Sequence, residues 1–135
     1  RRAMAAAGLA PETLTLVETA YGIDAGAAAL DAILDRAPAT TAVICGNDVL
    51  AVGALRGAAA RGLEVPRDLS VTGFDDIDLA TLARPALTTV HVPHREMGRR
   101  AAALLVEAVH GGAAPEGAEL QTDLRLRDSL GPPPA

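Results

Sequence analysis

Short β-branched segments alternate with alanine-rich helical patterns along most of this 135-residue chain, and this alternation limits the possible folds more than any other feature. The predicted strands are residues 13–18, 41–46, 69–74 and 87–92, with a last strand in "AELQTDLRLRD". The apolar runs at 42–45 and 69–71 do not alternate with polar residues. That pattern is typical of strands covered on both faces in a parallel sheet.

The segments between the strands have the periodicity of amphipathic helices. Apolar residues recur every three or four positions in residues 24–36, 48–61 and 95–109. The opening "RRAMAAAGLAPE" predicts the end of a further helix, which stops at Gly8 and suggests that the chain begins inside an element. The order of elements predicts the α/β fold class, with a parallel sheet and helices on both faces in a three-layer sandwich.

Residues 1–135 are predicted to form one domain, because no interior linker divides them and "HGGAAPEGAE" (110–119) is the only long loop. The net charge of −5 makes this surface a poor partner for DNA, whose binding depends largely on cationic side chains. A single cysteine, Cys45, excludes an internal disulfide and fits a reducing compartment. No apolar run is long enough to predict a membrane span, and no residue pattern predicts a cofactor.

Polar side chains follow the predicted strands at the carboxyl ends, where open α/β sheets bind their ligands. Tyr21 follows the first strand, Asn47 and Asp48 follow the second, and the adjacent pair Asp75 and Asp76 follows the third. An amide both donates and accepts hydrogen bonds, a carboxylate accepts from two hydroxyl groups, and an aromatic ring stacks on an apolar sugar face. Such a set suits a polyol or a sugar.

Each of these residues also has a purely structural interpretation. Asp48 is predicted to be the N-cap of the helix that starts there, since Asp is among the preferred capping residues. Asn47 fits ordinary turn chemistry, and Asp75 with Asp76 fits a solvated turn. Tyr21 alone is more often a packing residue than a stacking platform.

A catalytic interpretation is disfavoured, and we expect no enzymatic activity. The group Asp75, Asp76 and Asp78 could hold Mg²⁺, but neither a phosphate-binding loop nor a catalytic lysine accompanies it. Cys45 lies in an apolar run and is interpreted as a small buried hydrophobic residue. The remaining candidates show neither metal-ligand spacing nor a nucleophile elbow: His91, His94, His110, Ser70 and Ser129.

Several motifs together resemble the effector-binding domain of LacI/GalR-family transcription regulators. They are "NDVLAVGAL", "GLEVPRDLSVTGFDD", "PALTTVHVP", "MGRRAAALL" and the closing "LRLRDSLGPP", in that order. The resemblance covers nearly the whole chain. It implies a periplasmic-binding-protein-like (type I) domain of two α/β lobes that follows an N-terminal helix-turn-helix, with a sugar or nucleoside-like effector bound between the lobes.

This chain resembles only the C-terminal lobe, together with a crossover helix (95–109) that would belong to the first lobe. The resemblance therefore implies that operator DNA is bound only through a helix-turn-helix absent from this chain. It also implies a cytoplasmic protein, with hinges at residues 90–93 and 111–117. The alternative is a substrate-binding protein of a sugar ABC transporter, which shares the fold but not the compartment.

The resemblance also suggests roles for individual residues. Asp75 resembles the carboxylate that contacts the effector, Asn47 matches the cleft asparagine, and Tyr21 stands where an aromatic side chain commonly stacks on the ligand. His94 falls at a variable position that can also face the cleft. Asp76 is expected to be satisfied locally by capping the next turn, which would explain why two adjacent aspartates are tolerated.

The family pattern finally implies a homodimer formed through this lobe. The predicted interface consists of Leu50, Leu55, Leu79, Leu82 and Pro85. The alternative is that these side chains cover the sheet edge of a monomer. The helix at 95–109 still needs to bury its apolar stripe, so it is expected either to pack against another copy or to fold back on its own lobe.

Overall fold

The computed structural model of the chain describes residues 1–111, 117 and 119–133. Its helices are α1 (Arg2–Ala6), α2 (Ile23–Arg36), α3 (Asp48–Ala60), α4 (Asp78–Leu82) and α5 (His94–Val109), and a 3-10 helix covers Pro11–Thr13. Its strands are β1 (Ala42–Ile44), β2 (Ser70–Thr72), β3 (Thr89–His91) and β4 (Asp123–Arg125). The helices predicted at 24–36, 48–61 and 95–109 are confirmed within a residue or so at each end.

Two local predictions from the sequence were wrong. The predicted strand at 13–18 begins inside the 3-10 helix, and residues 14–20 join no strand ladder within the described part of the chain. The outer edge of β1 is consequently open, and Ile44 is 84 % exposed. Helix α4 was missed because its five residues are too few to show a helical period.

The parallel part of the sheet was predicted correctly. β1 pairs with β2 in parallel, with Val43 opposite Val71. Parallel bridges then join Thr72 to Thr88 and Asp75 to His91, so the segment that contains β3 lies beside β2. β4 instead runs antiparallel to β3, and all three of its residues are exposed rather than half-exposed as predicted, because β4 lies beyond the core.

The segment after β4 fills the space between β2 and the start of β3. Ser129 is fully buried there, and its hydroxyl group donates to the Val71 carbonyl (2.6 Å) and accepts from the Thr88 amide (2.8 Å). Its backbone accepts from the Val71 amide at 2.9 Å and donates to Ala86 at 3.0 Å. One serine thus replaces the ladder hydrogen bonds that the two strands do not make with each other.

Helices α2 and α3 pack closely against each other beside the strands. The core consists of Leu30, Leu34, Val43, Ala51, Ala54, Leu55, Ala58, Leu69, Val71, Ala80 and Leu87. Glycines allow the close approach, since a Cβ atom at Gly53 would collide with the Ile23 carbonyl oxygen and one at Gly26 with that of Leu50. The alanine-rich core thus packs closely because the backbones of α2 and α3 approach each other at these glycines.

The predicted interface residues differ in their surroundings. Leu55 is only 7 % exposed and belongs to the core, so it offers no surface to a second copy and drops out of the predicted interface. Leu82 is 69 % exposed, whereas Leu50, Leu79 and Pro85 are half-buried.

Helix α5 contains no buried residue. Its apolar side chains Met97, Leu105, Val106 and Val109 are exposed, so of the two predicted outcomes α5 does not fold back on its own lobe, and packing against another copy stays a prediction. The predicted hinge at 111–117 lies largely outside the described residues. Within the described part of the chain, no helix is long and apolar enough to cross a membrane.

Candidate functional site

The loops that follow β1 and β2 meet at one edge of the sheet. The Asp48 amide donates to the Phe74 carbonyl at 2.9 Å, and the Asp75 amide donates to the Val90 carbonyl at the same distance. Because parallel strands end at a common edge, residues that are far apart in the sequence become neighbours here. The sequence predicted that the residues after β1 and β2 lie at a common edge of the sheet, whereas the hydrogen bond between the two loops joins Asp48 to Phe74.

Asn47, not Asp48, is the N-cap of α3. The Asn47 side-chain oxygen accepts from the Leu50 amide at 2.8 Å, as an N-cap does. Asn47 is only 2 % exposed, and its Nδ2 group has no hydrogen-bond partner among the described residues. The predicted capping role of Asp48 was therefore wrong, because the helix begins one residue earlier than that role requires and Asp48 is already its first residue.

Asp48 is instead a fully buried junction between three segments. Its carboxylate accepts a hydrogen bond from the Thr89 hydroxyl group (2.5 Å) and another from the Ile77 amide (2.9 Å). Gly73 leaves room for this carboxylate, since a Cβ atom at Gly73 would collide with it. Asp48 thus fixes the β2–α4 turn and β3 relative to the N-terminus of α3.

Asp75 and Asp76 both have backbone conformations that non-glycine residues rarely adopt. Their φ angles are 109° and 56°. A residue held in such a region costs about 1–3 kcal/mol, which neighbouring contacts must offset. This turn therefore orients the two adjacent carboxylates in a way that an ordinary extended chain would not.

The carboxylate of Asp76 is bound by residues distant in the sequence, so the expectation of local capping was wrong. It accepts from Arg127 Nη2 at 2.5 Å and contacts His91 Nδ1 at 3.0 Å, and Arg125 Nε lies 3.9 Å away. Partial burial alone would raise the pKa of Asp76, but the hydrogen bond and charge of Arg127, with His91, lower it on balance. The Asp76 carboxylate is therefore occupied by contacts within the protein and is not free to bind a ligand.

The carboxylate of Asp75 has no hydrogen bond to any described residue, and the ring of His94 lies near it. Asp75 Oδ1 lies 3.7 Å from His94 Nε2, beyond hydrogen-bond distance. His94 is the first residue of α5. The structure therefore brings together two of the predicted ligand-binding residues.

A cavity of about 480 Å³ opens beside these two residues, and its lining includes Asp75, His91, His94, Arg95 and Arg99. Glu96 also lines it, and hydrogen bonds from Arg99 and then Arg100 lower the pKa of Glu96 to about 2. Glu96 and Arg99 are thus paired with each other. This leaves Asp75 as an acceptor and His94 and Arg95 as donors, none with a side-chain hydrogen bond to a described residue. Asn47 and Tyr21 do not line this cavity.

Tyr21 lies apart from the other predicted residues. Its side chain is 79 % exposed in the bend before α2, and it makes no hydrogen bond with the described residues. The nearby segment of Val17 and Thr19 lines a different crevice, together with Cys45 and Leu50. No described contact joins Tyr21 to Asp75.

Arg127, His91 and Thr89 were missed as site residues by sequence reasoning. The alternation in "LRLR" places Arg125 and Arg127 on one face of the last strand, and this was the available signal. Metal binding has little support, because Asp76 is already engaged. The described residues contain no group of three or more His, Cys, Asp or Glu side chains suited to a metal ion.

Comparison with known proteins gives consistent matches. A family model described as a periplasmic binding protein-like domain matches residues 1–130. The chain is 42 % identical over 110 residues to the HTH-type transcriptional repressor CytR of Escherichia coli strain K12, covering 81 % of this chain and 32 % of CytR. It is 38 % identical over 130 residues to the HTH-type transcriptional regulator CelR of Thermobifida fusca, covering 96 % of this chain and 38 % of CelR.

A solved structure shows the same fold. The complex of the transcriptional regulator CelR with cellobiose superposes with a TM-score of 0.90 at 38 % identity, covering 96 % of this chain and 40 % of that one. The chain thus spans about a third of the length of the curated relatives it matches.

Proposed function

This chain belongs to the periplasmic binding protein-like domain family, and we propose that it is the effector-sensing portion of a LacI/GalR-type transcriptional regulator. The relatives named above are transcriptional regulators, which favours this reading over a transport protein of the same fold. The single observation that carries the proposal is the Asp75 carboxylate, which borders a cavity beside His94 without a hydrogen bond to any described residue.

The chain would form the C-terminal lobe of a two-lobed domain, and α5 would belong to the other lobe. The absence of any buried residue in α5 supports this division, because an amphipathic helix requires a partner for its apolar face. The antiparallel pair of β3 and β4 supports it too, since these strands carry the chain toward α5 and back. The cleft between the lobes would then include the cavity at Asp75.

The effector would be a small polar molecule, either a sugar or a nucleoside-like compound. Asp75 would accept hydrogen bonds from its hydroxyl groups, and His94 would contact it from the start of α5. Asn47 would contribute its Nδ2 group, which has no hydrogen-bond partner among the described residues, after a small opening of its surroundings. Tyr21 would stack on the ligand only if the segment before α2 brings it toward the cleft.

Effector binding would act by shifting the population between two lobe arrangements. Residues 90–93 connect β3 with α5 and would form one hinge, while the second predicted hinge, at 111–117, lies largely outside the described residues. Operator DNA would be bound by a helix-turn-helix outside these residues, because this acidic surface lacks the positive charge that DNA requires. As a DNA-binding regulator, the protein would act in the cytoplasm.

Titration of the isotope-labelled chain with cellobiose, and separately with adenosine, tests the ligand site by backbone NMR. We expect one of the two to shift the amide signals of Asp75 and His94. Asp75→Asn should abolish these shifts, since Asn tolerates positive φ but lacks the charge. Asp78→Asn, in an exposed carboxylate of the next helix, is the matched control. Shifts that persist in Asp75→Asn, or that lie away from this cavity, would contradict the proposed site.

We also propose a homodimer formed through the half-buried Leu50, Leu79 and Pro85 together with the exposed Leu82. The exposed Leu82 shares α4 with the half-buried Leu79, and a large exposed leucine of this kind is typical of a contact surface. Light scattering should give the mass of a dimer, and Leu82→Glu should reduce it to that of a monomer. The Leu105→Glu variant, on the exposed face of α5, distinguishes a dimer contact through α5 from one through the surface around Leu82. Dissociation by Leu105→Glu but not by Leu82→Glu would place the contact on α5 instead.

A further inference from the structure

The two aspartates of the β2–α4 turn have different surroundings although they are adjacent in the sequence. Asp75 borders the cavity and has no hydrogen bond from its carboxylate to a described residue, whereas the Asp76 side chain is 13 % exposed and bound by several partners. Both residues have positive φ angles. Because a positive φ angle is unfavourable for a non-glycine residue, contacts with the surrounding structure must stabilise this conformation.

The Asp75 amide donates to the Val90 carbonyl, and the Ile77 amide donates to Asp48. The Asp76 carboxylate supplies the remaining side-chain contacts of the turn. Arg127 donates to Asp76 Oδ1 at 2.5 Å and is itself fixed, since its other guanidinium nitrogen donates to the Leu87 carbonyl at 2.8 Å. The Arg127 amide also donates to the Thr88 hydroxyl group at 2.9 Å. Arg127, whose backbone and side chain are both hydrogen-bonded, thus connects the segment after β4 to the turn at Asp76.

The second contact of Asp76 comes from β3. His91 Nδ1 lies 3.0 Å from Asp76 Oδ2, and the same residue pairs with Asp75 through a parallel bridge. His91 also lines the cavity at Asp75. The Asp76 carboxylate therefore joins three segments at one point: the turn that presents Asp75, the strand that leads out to α5, and the segment that returns through β4.

We propose that Asp76, held by Arg127 and His91, is a positioning residue that fixes the strained Asp75 backbone so that the Asp75 carboxylate faces the ligand cavity. This inference rests on the proposed function, because Asp75 matters as a ligand-binding group only if an effector binds there. It assigns Asp76 no contact with the ligand. It also makes the orientation of Asp75 dependent on both strands that link this lobe to α5.

Amide hydrogen exchange of the ligand-free chain tests this positioning role without reference to any effector. Asp76→Asn keeps a side chain that tolerates positive φ but removes the charge that Arg127 binds. The Asp75 amide, which donates to Val90, should exchange about tenfold faster in Asp76→Asn, because a charge-assisted hydrogen bond no longer holds the turn. The Val71 amide, which donates to the buried Ser129, reports the stability of the sheet interior and should change much less. Asp78→Asn should alter neither amide.

Equal acceleration at Asp75 and Val71 in Asp76→Asn would overturn the proposal, since Asp76 would then only stabilise the fold. Unchanged exchange at Asp75 would overturn it as well. The Arg127→Lys variant retains a positive charge, and it should restore most of the protection that Arg127→Met removes.

Titration with cellobiose or adenosine, whichever shifts the wild-type spectrum, completes the test. Asp76→Asn should weaken that affinity about tenfold although Asp75 is still present. An undiminished affinity would overturn the positioning role. If neither probe binds the wild-type chain, the proposed effector site fails, while the exchange experiment still decides whether Asp76 holds Asp75 in place.

Discussion

Replacement of Asp48 by alanine should be among the most destabilising single substitutions in the chain. Asp48 is fully buried in the first turn of α3, and its two carboxylate oxygens accept hydrogen bonds from the Thr89 hydroxyl group and the Ile77 amide. Both donors would lose their acceptor in Asp48→Ala, and no described side chain is placed to replace it. The substitution would therefore remove the hydrogen bonds that connect α3 with β3 and with the β2–α4 turn, and not only an acidic residue at the helix N-terminus.

The expected cost follows from these contacts. The buried Thr89 hydroxyl group left without an acceptor costs about 1–3 kcal/mol, and loss of the part-buried hydrogen bond from the Ile77 amide adds about 0.5–1.5 kcal/mol. Removal of an acidic residue from the N-terminus of a helix adds about 0.3–1 kcal/mol. Small domains have a free energy of unfolding of about 5–15 kcal/mol, so Asp48→Ala would leave little margin. Asp48→Asn keeps one acceptor oxygen and should cost about 1–3 kcal/mol.

Urea unfolding followed by circular dichroism measures these differences. Asp78→Ala is the matched control, because Asp78 occupies the first turn of α4 but is exposed, and it should change the free energy of unfolding by less than about 0.5 kcal/mol. Thr89→Val completes a double-mutant cycle with Asp48→Asn, and the two effects should not add. A cost for Asp48→Asn as small as that of Asp78→Ala would refute the assignment of Asp48 as a buried junction.

Three further predictions concern other parts of the chain. Gly53→Ala should lower the free energy of unfolding by about 1–3 kcal/mol, because the new methyl group would collide with the backbone of α2. Gly98→Ala, on the open face of α5, should instead raise it by about 0.5–1 kcal/mol; similar urea midpoints for these two variants would contradict the packing of α2 on α3. Arg127, with His91, lowers the pKa of Asp76 in the folded chain, despite partial burial that would raise it. The ionised Asp76 carboxylate therefore stabilises the folded chain above the unfolded pKa of about 3.9. This stabilisation is lost as the pH falls through the lower pKa of Asp76 in the folded chain. Stability measured from about pH 6 to about pH 2 should accordingly fall less steeply in Asp76→Asn, and parallel curves would contradict this linkage. Burial raises the pKa of the Cys45 thiol to about 11, so iodoacetamide should modify Cys45 far more slowly in the native chain than in urea, and equal rates would argue against that burial.

The three long helices could be predicted from the regular spacing of their apolar residues. α2, α3 and α5 follow from spacings of three and four positions, which any amphipathic helix must show, and the structure agrees with them closely. Unbroken apolar runs likewise predicted β1 and β2 as strands of a parallel sheet covered on both faces; the parallel pairing is confirmed, but Ala42 and Ile44 of β1 are exposed. Elements whose pattern repeats several times can be predicted, because each repeat adds to the same signal.

Short elements and strand partners could not be predicted in the same way. Residues 13–18 have the composition of a strand, but a strand requires a partner ladder, and composition does not show whether one is available. α4 is a single turn of helix fixed by its surroundings, including the Asp48 carboxylate that binds the Ile77 amide at its start. Such elements depend on contacts between distant residues.

The sequence alone thus determined the fold class and indicated that the residues after β1 and β2 would meet at one edge of the sheet. Only the tertiary structure decided the role of each polar side chain at that edge. Asn47 caps α3, Asp48 holds the turn and β3, Asp76 binds Arg127, and Asp75 remains available at the cavity. The physical reason is that a carboxylate has the same chemistry wherever it occurs, and its partners, here up to 51 residues away, decide whether it supports the fold or can bind a ligand.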